Sequence, residues 1–159
     1  GRAEIRDKIS LQNTRPFVVK DQGYLVPKKS VFNRIIGDLG FELKFASFLE
    51  DAADVKSFAK NFLAVNFKLD YVNADGGISN YTPDFIVKDA DGTVIIIETK
   101  GLEELALPLK MARLKQWCED VNALQDETVF AFAYVDEDSF KKHKPSSLKD
   151  IRASFTEYQ

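Results

Sequence analysis

The stretch "NYTPDFIVKDADGTVIIIETKGLEE", residues 80–104, decides the fold. Its two apolar runs, "FIV" and "VIII", are hydrophobic at consecutive positions, the pattern of strands covered on both faces. Between Asp89 and Thr93 lies "ADG", which fits a three-residue hairpin loop: a type I turn followed by Gly92 in the left-handed position of a bulge. Charges nevertheless stand at the two ends, Asp84 directly after Pro83, and Glu98-Thr99-Lys100 at the close of the second run.

Counting back from an Asp89–Thr93 pair sets Asp84 opposite Glu98, with Cβ atoms about 5 Å apart in a regular ladder. A four-residue loop would instead set Asp84 opposite Ile97, because a one-residue slip sends side chains to the other face. Side chains two apart share a face, so Glu98 and Lys100 emerge together, with Ile86, Val94 and Ile96 behind them, while Thr99 points away. Two carboxylates that close repel unless a proton or a cation lies between them. A divalent metal is the economical answer. Mg²⁺ takes oxygen ligands and retains waters, and Asp84, Glu98 and the backbone carbonyl of Thr99 make a suitable set, with Mn²⁺ as a substitute.

Upstream, apolar residues at Leu39, Leu43, Phe45, Ala46, Phe48 and Leu49 have helical spacing and predict a helix from Asp38 to about Asp51. Glu42 falls on its stripe, either as an outer ligand of the same site or as a rim residue reaching water. Ser30 is read as the N-cap of a helix over "VFNRII", and Asp54 as the cap of a short helix over "VKSFAKN". "RPFVVK" and "GYLVP" read as short strands or an arm. "NFKLDYV", "YTPDFIV" and "TVIIIETK" then read as three successive strands of a meander. Pro108 opens a helix bearing Met111, Leu114, Trp117, Cys118 and Val121 on one stripe, "ETVFAFAYV" is a strand, and "SSLKDIRASFTEY" a capped terminal helix. The sum is an α/β domain, a mixed sheet flanked by helices on both faces.

The 159 residues, 45% hydrophobic and 30% charged, suit one domain with a core of its own. A single cysteine, Cys118, excludes an internal disulfide framework, and one histidine, His143, excludes a Cys/His zinc cluster. No apolar run is long enough to span a bilayer. The formal net charge of −3 argues against a basic protein that coats nucleic acid, although a metal site can itself supply positive charge to a phosphate. Lys28-Lys29 and Lys141-Lys142-His143-Lys144 are local basic clusters, read first as solvated surface. Trp117 and Cys118 are read as core rather than as stacking or redox groups. With no initiator Met and no GxxxxGK[ST] loop, the segment is expected to be a domain of a longer protein whose motor lies elsewhere.

One Glu-x-Lys alone carries little weight; Glu42-Leu43-Lys44 is another. Pro-Asp opening one strand, a short hairpin, and four aliphatic residues delivering Glu-x-Lys carry more. These positions resemble the PD-(D/E)xK nuclease superfamily. "PKKSVFNRIIGD", "FELKFASFLEDAADVKSFAKN", "YTPDFIV" and "ETKG" look like the C-terminal endonuclease domain of type III restriction enzyme restriction subunits and related helicase-nuclease proteins.

The resemblance, which covers about residues 27–122, implies a restriction-endonuclease-like fold; the chain divides into an arm at 1–29, a nuclease core at 30–135 and a helical tail at 136–159, the arm before Pro27 and the segment after Asp136 lying outside the matched motifs. It implies Asp84 and Glu98 as metal ligands, Lys100 as the catalytic lysine, Glu42 as the acidic residue of the first core helix, and Lys110 as a weaker candidate for DNA-backbone contact. The implied reaction is Mg²⁺-dependent hydrolysis of phosphodiesters in double-stranded DNA. Implied partners are an upstream ATP-dependent translocase and a modification subunit, in the cytoplasm of a prokaryote or from a phage or mobile element. Two active sites in a dimer, or two visits, would deliver a double-strand break. The competing expectation is a degenerate nuclease fold that binds DNA or docks a subunit without catalysis.

Overall fold

The computed structural model describes residues 3–5, 11, 24, 25, 27–31, 35, 36, 40–61, 65–100 and 105–159, with the backbone alone for 24, 25, 35, 36 and 100. At its centre β6 (Phe85–Asp89) and β7 (Val94–Lys100) form an antiparallel hairpin in which Lys88 pairs with Val94 and Phe85 with Ile97. The connection is the three-residue loop. Asp89 N–H donates to Thr93 O at 2.9 Å, Gly92 N–H donates to Asp89 O at 3.1 Å, and Gly92 has φ +85°. Glycine takes that conformation without the Cβ clash that other residues incur. The Asp89 carboxylate tightens the loop by accepting from the N–H groups of Asp91 and Thr93, each at 2.9 Å.

β3 (Val55–Lys60) pairs antiparallel with the outer edge of β6, and β8 (Phe130–Asp136) pairs parallel with β7, giving the order β3-β6-β7-β8. The parallel pair needs a long connection, supplied by helix α2 (Leu107–Leu124) with Pro108 in its first turn, where a missing N–H costs nothing. The two faces of the sheet are covered by different helices. Phe85, Val87, Ile95 and Ile97 pack under α1 (Gly40–Asp51) and α4 (Leu148–Ser154), whereas Ile86, Val94 and Ile96 pack against α2. This is the mixed α/β arrangement expected from the apolar runs.

Aromatic rings fill the α1 side. The fully buried Phe45 ring lies 5.3 Å from Phe85 and 5.5 Å from Phe48, centroid to centroid, and 5.9 Å from Phe140 on α3 (Glu137–His143). On the other side Trp117 meets Phe67 and Phe130 edge-on at 5.0 and 5.2 Å. Cys118 is buried in the same layer, and its thiol is pushed up from the ordinary 9.0 to about 12, chiefly by burial and secondarily by the neighbouring Glu119. The thiol is therefore protonated and inert at neutral pH. We expect a thiol-reactive chromophore to label the native protein at least about a hundredfold more slowly than the urea-unfolded chain, consistent with control by thiolate fraction and access. Equal rates would place Cys118 at the surface.

Three local readings are corrected. "VKSFAKN" is not a helix but strand β3. Val55, Phe58 and Ala59 do fall at helical spacing, yet β6 offers a full antiparallel partner and tertiary pairing overrides local spacing. Asp54 caps a helix all the same, a distant one: its carboxylate accepts from Leu148 N–H at 2.8 Å and Lys149 N–H at 2.9 Å, in the first turn of α4.

The expected helix over "VFNRII" is not formed at its end, and Ser30, read as its cap, bridges to Phe58 on the edge of β3. Ile35 and Ile36 form β2 (Ile35–Ile36), paired with β1 (Tyr24–Leu25), and residues 32–34 lie outside the described residues, as does "RPFVVK". The meander, finally, is two pieces. β4 (Leu69–Val72) pairs with β5 (Ile78–Tyr81) as a separate ribbon, because Thr82 and Pro83 end the strand before β6 begins at Phe85.

The basic cluster at Lys28 and Lys29 is partly structural. Glu50 at the end of α1 accepts from both backbone N–H groups, at 2.7 Å from Lys28 and 3.0 Å from Lys29, and Lys29 Nζ donates to Ala52 O at 2.6 Å. His143 is exposed at the end of α3, its ring edge-on to Phe155 at 5.6 Å. Among the described residues no helix is long and apolar enough to cross a membrane.

Candidate functional site

Extending the hairpin register by one step sets Asp84 across from Glu98, as the three-residue loop requires. Asp84 precedes β6, however, so its side chain is not bound to the pleat. Its Oδ2 accepts from Thr99 N–H at 2.8 Å and from Thr99 Oγ1 at 2.9 Å. Thr99 stands a further step along, across from Pro83, which has no N–H to offer the ladder. The carboxylate of Asp84 thus continues the strand pairing where the backbone of β6 has not begun.

Asn61, the residue after β3, fixes this corner. Its backbone N–H donates to Asp84 O at 2.7 Å, and its side-chain Nδ2 donates to Pro83 O and Phe67 O, both at 2.8 Å. Its Oδ1 accepts from Phe67 N–H at 3.2 Å. The backbone of the Pro-Asp pair is therefore clamped from the β3 side, and Asp84 is only 9% exposed.

Lys60, the last residue of β3, is 8% exposed although charged. It pairs with Phe85 in the ladder and lies on the α1 side, with Nζ 5.5 Å from the centroid of that ring. Its ammonium stands 3.5 Å from Asp84 Oδ1 and 3.6 Å from Glu42 Oε2. Glu42, in the first turn of α1, therefore does meet Asp84's surroundings, through a lysine that the sequence reading assigned to a helix.

Glu98 is 1% exposed and sits on the α2 side, two residues beyond Ile96. Its Oε2 accepts from Tyr81 Oη at 2.7 Å. Tyr81 is itself buried at the end of β5, so the separate β4–β5 ribbon supplies the partner of this carboxylate. Lys110, half-buried on α2, carries its Nζ 5.8 Å from the Tyr81 ring centroid, close enough for a cation–π contact. Lys100 closes β7, with its backbone in register with Asp136 of β8; its side chain lies outside the described residues.

Two sets of charges thus meet at the same ends of β6 and β7. Glu42, Lys60, Asp84 and Thr99 gather toward α1, while Glu98, Tyr81 and Lys110 gather toward α2. Lys60, Asn61 and Tyr81 escaped the sequence reading. The first two were legible as polar residues following Phe58 and Ala59, once "VKSFAK" is taken as a strand with Lys60 on the face of Phe58.

The donor chemistry suits a hard cation. Asp84 and Glu98 are both buried, but the Asp84 carboxylate turns toward α1 and that of Glu98 toward α2, so the one-face pair expected from a regular ladder is not formed; carboxylate oxygens and a backbone carbonyl such as that of Thr99 are the donor types that Mg²⁺ takes. Among the described residues no three His, Cys, Asp or Glu side chains converge as a ready-made metal cage. Compared with protein-family models, with curated proteins and with solved structures, the chain matches none.

Proposed function

We propose that the chain is a metal-dependent DNA endonuclease domain of the PD-(D/E)xK type, with a restriction-endonuclease-like fold, and that it serves as the cleavage module of a type III restriction-like enzyme. The observation that carries this reading is the register of β6 and β7, which sets the Pro83-Asp84 corner beside Glu98 and Thr99 at the ends of two central strands. Asp84, Glu98 and the Thr99 carbonyl would hold Mg²⁺. When bound, the ion supplies Lewis-acid stabilisation of charge on the phosphate and lowers the cost of deprotonating water.

The chain's own residues do the rest. Lys100 would position the attacking water and offset the developing negative charge, and Lys110 would contact the DNA backbone from α2. Tyr81 holds the Glu98 carboxylate in one orientation through its hydroxyl. Contacts of this kind read phosphate rather than base, so recognition of a DNA sequence is left to a partner, here a modification subunit acting with an ATP-dependent translocase.

A second reading is favoured by one observation. Both oxygens of Asp84 are engaged within the protein, one by Thr99 and the other by Lys60, as in a corner serving structure alone. That reading is a non-catalytic nuclease fold that binds DNA or docks a subunit. Incubation of the protein with a labelled duplex separates the two. The nuclease produces strand breaks with Mg²⁺ or Mn²⁺ and none with EDTA; intact duplex with every divalent ion favours the docking module.

A further inference from the structure

Lys60 is the charged group that the nuclease reading leaves without a role. It is 8% exposed, its Nζ lies 5.5 Å from the centroid of the Phe85 ring, and its ammonium sits between Glu42 and Asp84 at 3.6 and 3.5 Å. Those separations exceed the 2.7–2.9 Å typical of a direct charge-assisted hydrogen bond. The ammonium therefore serves both carboxylates at once rather than closing on either, as a shared counter-ion does.

Removing it would take away the cation that the two carboxylates share, and like charges at close range repel. Lysine suits the task better than arginine. Its compact point charge on a flexible stem can withdraw along the Phe85 ring, whereas a planar guanidinium would lock onto one carboxylate.

We propose that Lys60 is the built-in counter-cation of the site, holding Glu42 and Asp84 in place in the metal-free protein, and that a divalent cation reaches Asp84 by displacing the Lys60 ammonium. This rests on the reading above that Asp84 takes a metal. It gives the site a metal-free state whose negative charge is already partly offset, so that occupancy requires the ion to outcompete a resident charge. Affinity is thereby lowered and exchange of the ion eased.

The test compares Mn²⁺ binding to wild type, Lys60→Met, Lys60→Arg and Asp84→Asn by calorimetry. Met retains the unbranched stem over Phe85 and loses the charge. Folded Lys60→Met is expected to bind Mn²⁺ at least about tenfold more tightly than wild type, since the ion no longer displaces a charge a few ångströms away. Lys60→Arg is expected to bind more weakly than Lys60→Met. A merely structural role for Lys60 would move affinity the other way, because a loosened corner holds a metal less well.

A second measurement follows Lys60 itself in the wild-type protein. In wild-type protein with ¹³C-labelled lysine, the Lys60 Cε signal, assigned by its absence from Lys60→Arg, is expected to shift as diamagnetic Mg²⁺ is added. Equal or weaker Mn²⁺ binding by folded Lys60→Met, or a Lys60 signal that stays still while Mg²⁺ binds, overturns the proposal. If wild type and Lys60→Met bind equally and Asp84→Asn does not bind, the counter-cation idea fails while the metal site stands. If none of the four binds, both fall.

Discussion

Replacing Glu98 by Gln is expected to lower Mg²⁺-dependent cleavage of duplex DNA at least about a hundredfold while leaving the fold intact, since loss of even an outer partner of a metal ligand costs 10–100-fold. Glu98 is 1% exposed and accepts from Tyr81 Oη at 2.7 Å. The carbonyl oxygen of Gln accepts the same hydrogen bond, so the contact between β5 and β7 survives. What is lost is a negative charge in a site with little water to screen it. A neutral amide is also less costly to bury than an ion, so stability in EDTA should be unchanged or raised. Cleavage rates measured beside urea unfolding of both proteins check the two halves together. Undiminished cleavage by a folded Glu98→Gln protein would remove Glu98 from the site.

The largest effect on stability is expected at Phe45. Its ring is fully buried, between Phe41, Phe48, Phe85 and Phe140, and so ties α1 and α3 to the central strand β6. Phe45→Ala removes its transfer free energy and leaves a cavity among rings too large to collapse fully, a loss of roughly 3–5 kcal/mol. Natural domains have about 5–15 kcal/mol in all, so the variant should be close to unfolding. Urea denaturation should show a lower midpoint with an unchanged slope. A loss under about 1 kcal/mol, the range of a substitution outside the core, would contradict the aromatic packing on the α1 side.

The parts of the fold legible in the sequence are those set by local chemistry. Gly92 after Asp91 specifies a three-residue hairpin, and the hairpin specifies the register of β6 and β7. Pro108 and the stripe of Met111, Leu114 and Cys118 specify α2. The terminal helix follows from Ser147, whose Oγ accepts from Asp150 N–H at 3.1 Å as its N-cap. What local chemistry could not specify is pairing between distant segments. Val55, Phe58 and Ala59 fit a helix as well as a strand, and the antiparallel edge of β6, more than 20 residues on, decides between them.

The candidate site divides along the same line. Asp84 and Glu98 were legible because the hairpin that relates them is short, and Glu42 because it interrupts an apolar stripe. Lys60 stayed hidden behind the misread strand. Tyr81 stayed hidden because the strand it ends was joined in the reading to the next one, although Thr82-Pro83 between them marked the break. The one-face arrangement of the two carboxylates, inferred from a regular ladder, does not hold: Asp84 precedes the strand, so its carboxylate turns to Thr99 and Lys60 while Glu98 faces Tyr81 on the other side.

The central claim is that Asp84 and Glu98 together bind a divalent metal, and binding can be measured without any cleavage. Mn²⁺ titrated into folded wild-type protein and folded Asp84→Asn, with a DNA duplex present in each cell, reads it most directly. The Asn side chain retains an oxygen to accept from Thr99 but loses the charge, so the account predicts saturable binding by the wild type and at least a tenfold loss, about 1.4 kcal/mol, in the variant. Equal binding by the two proteins, or none by either, would contradict it.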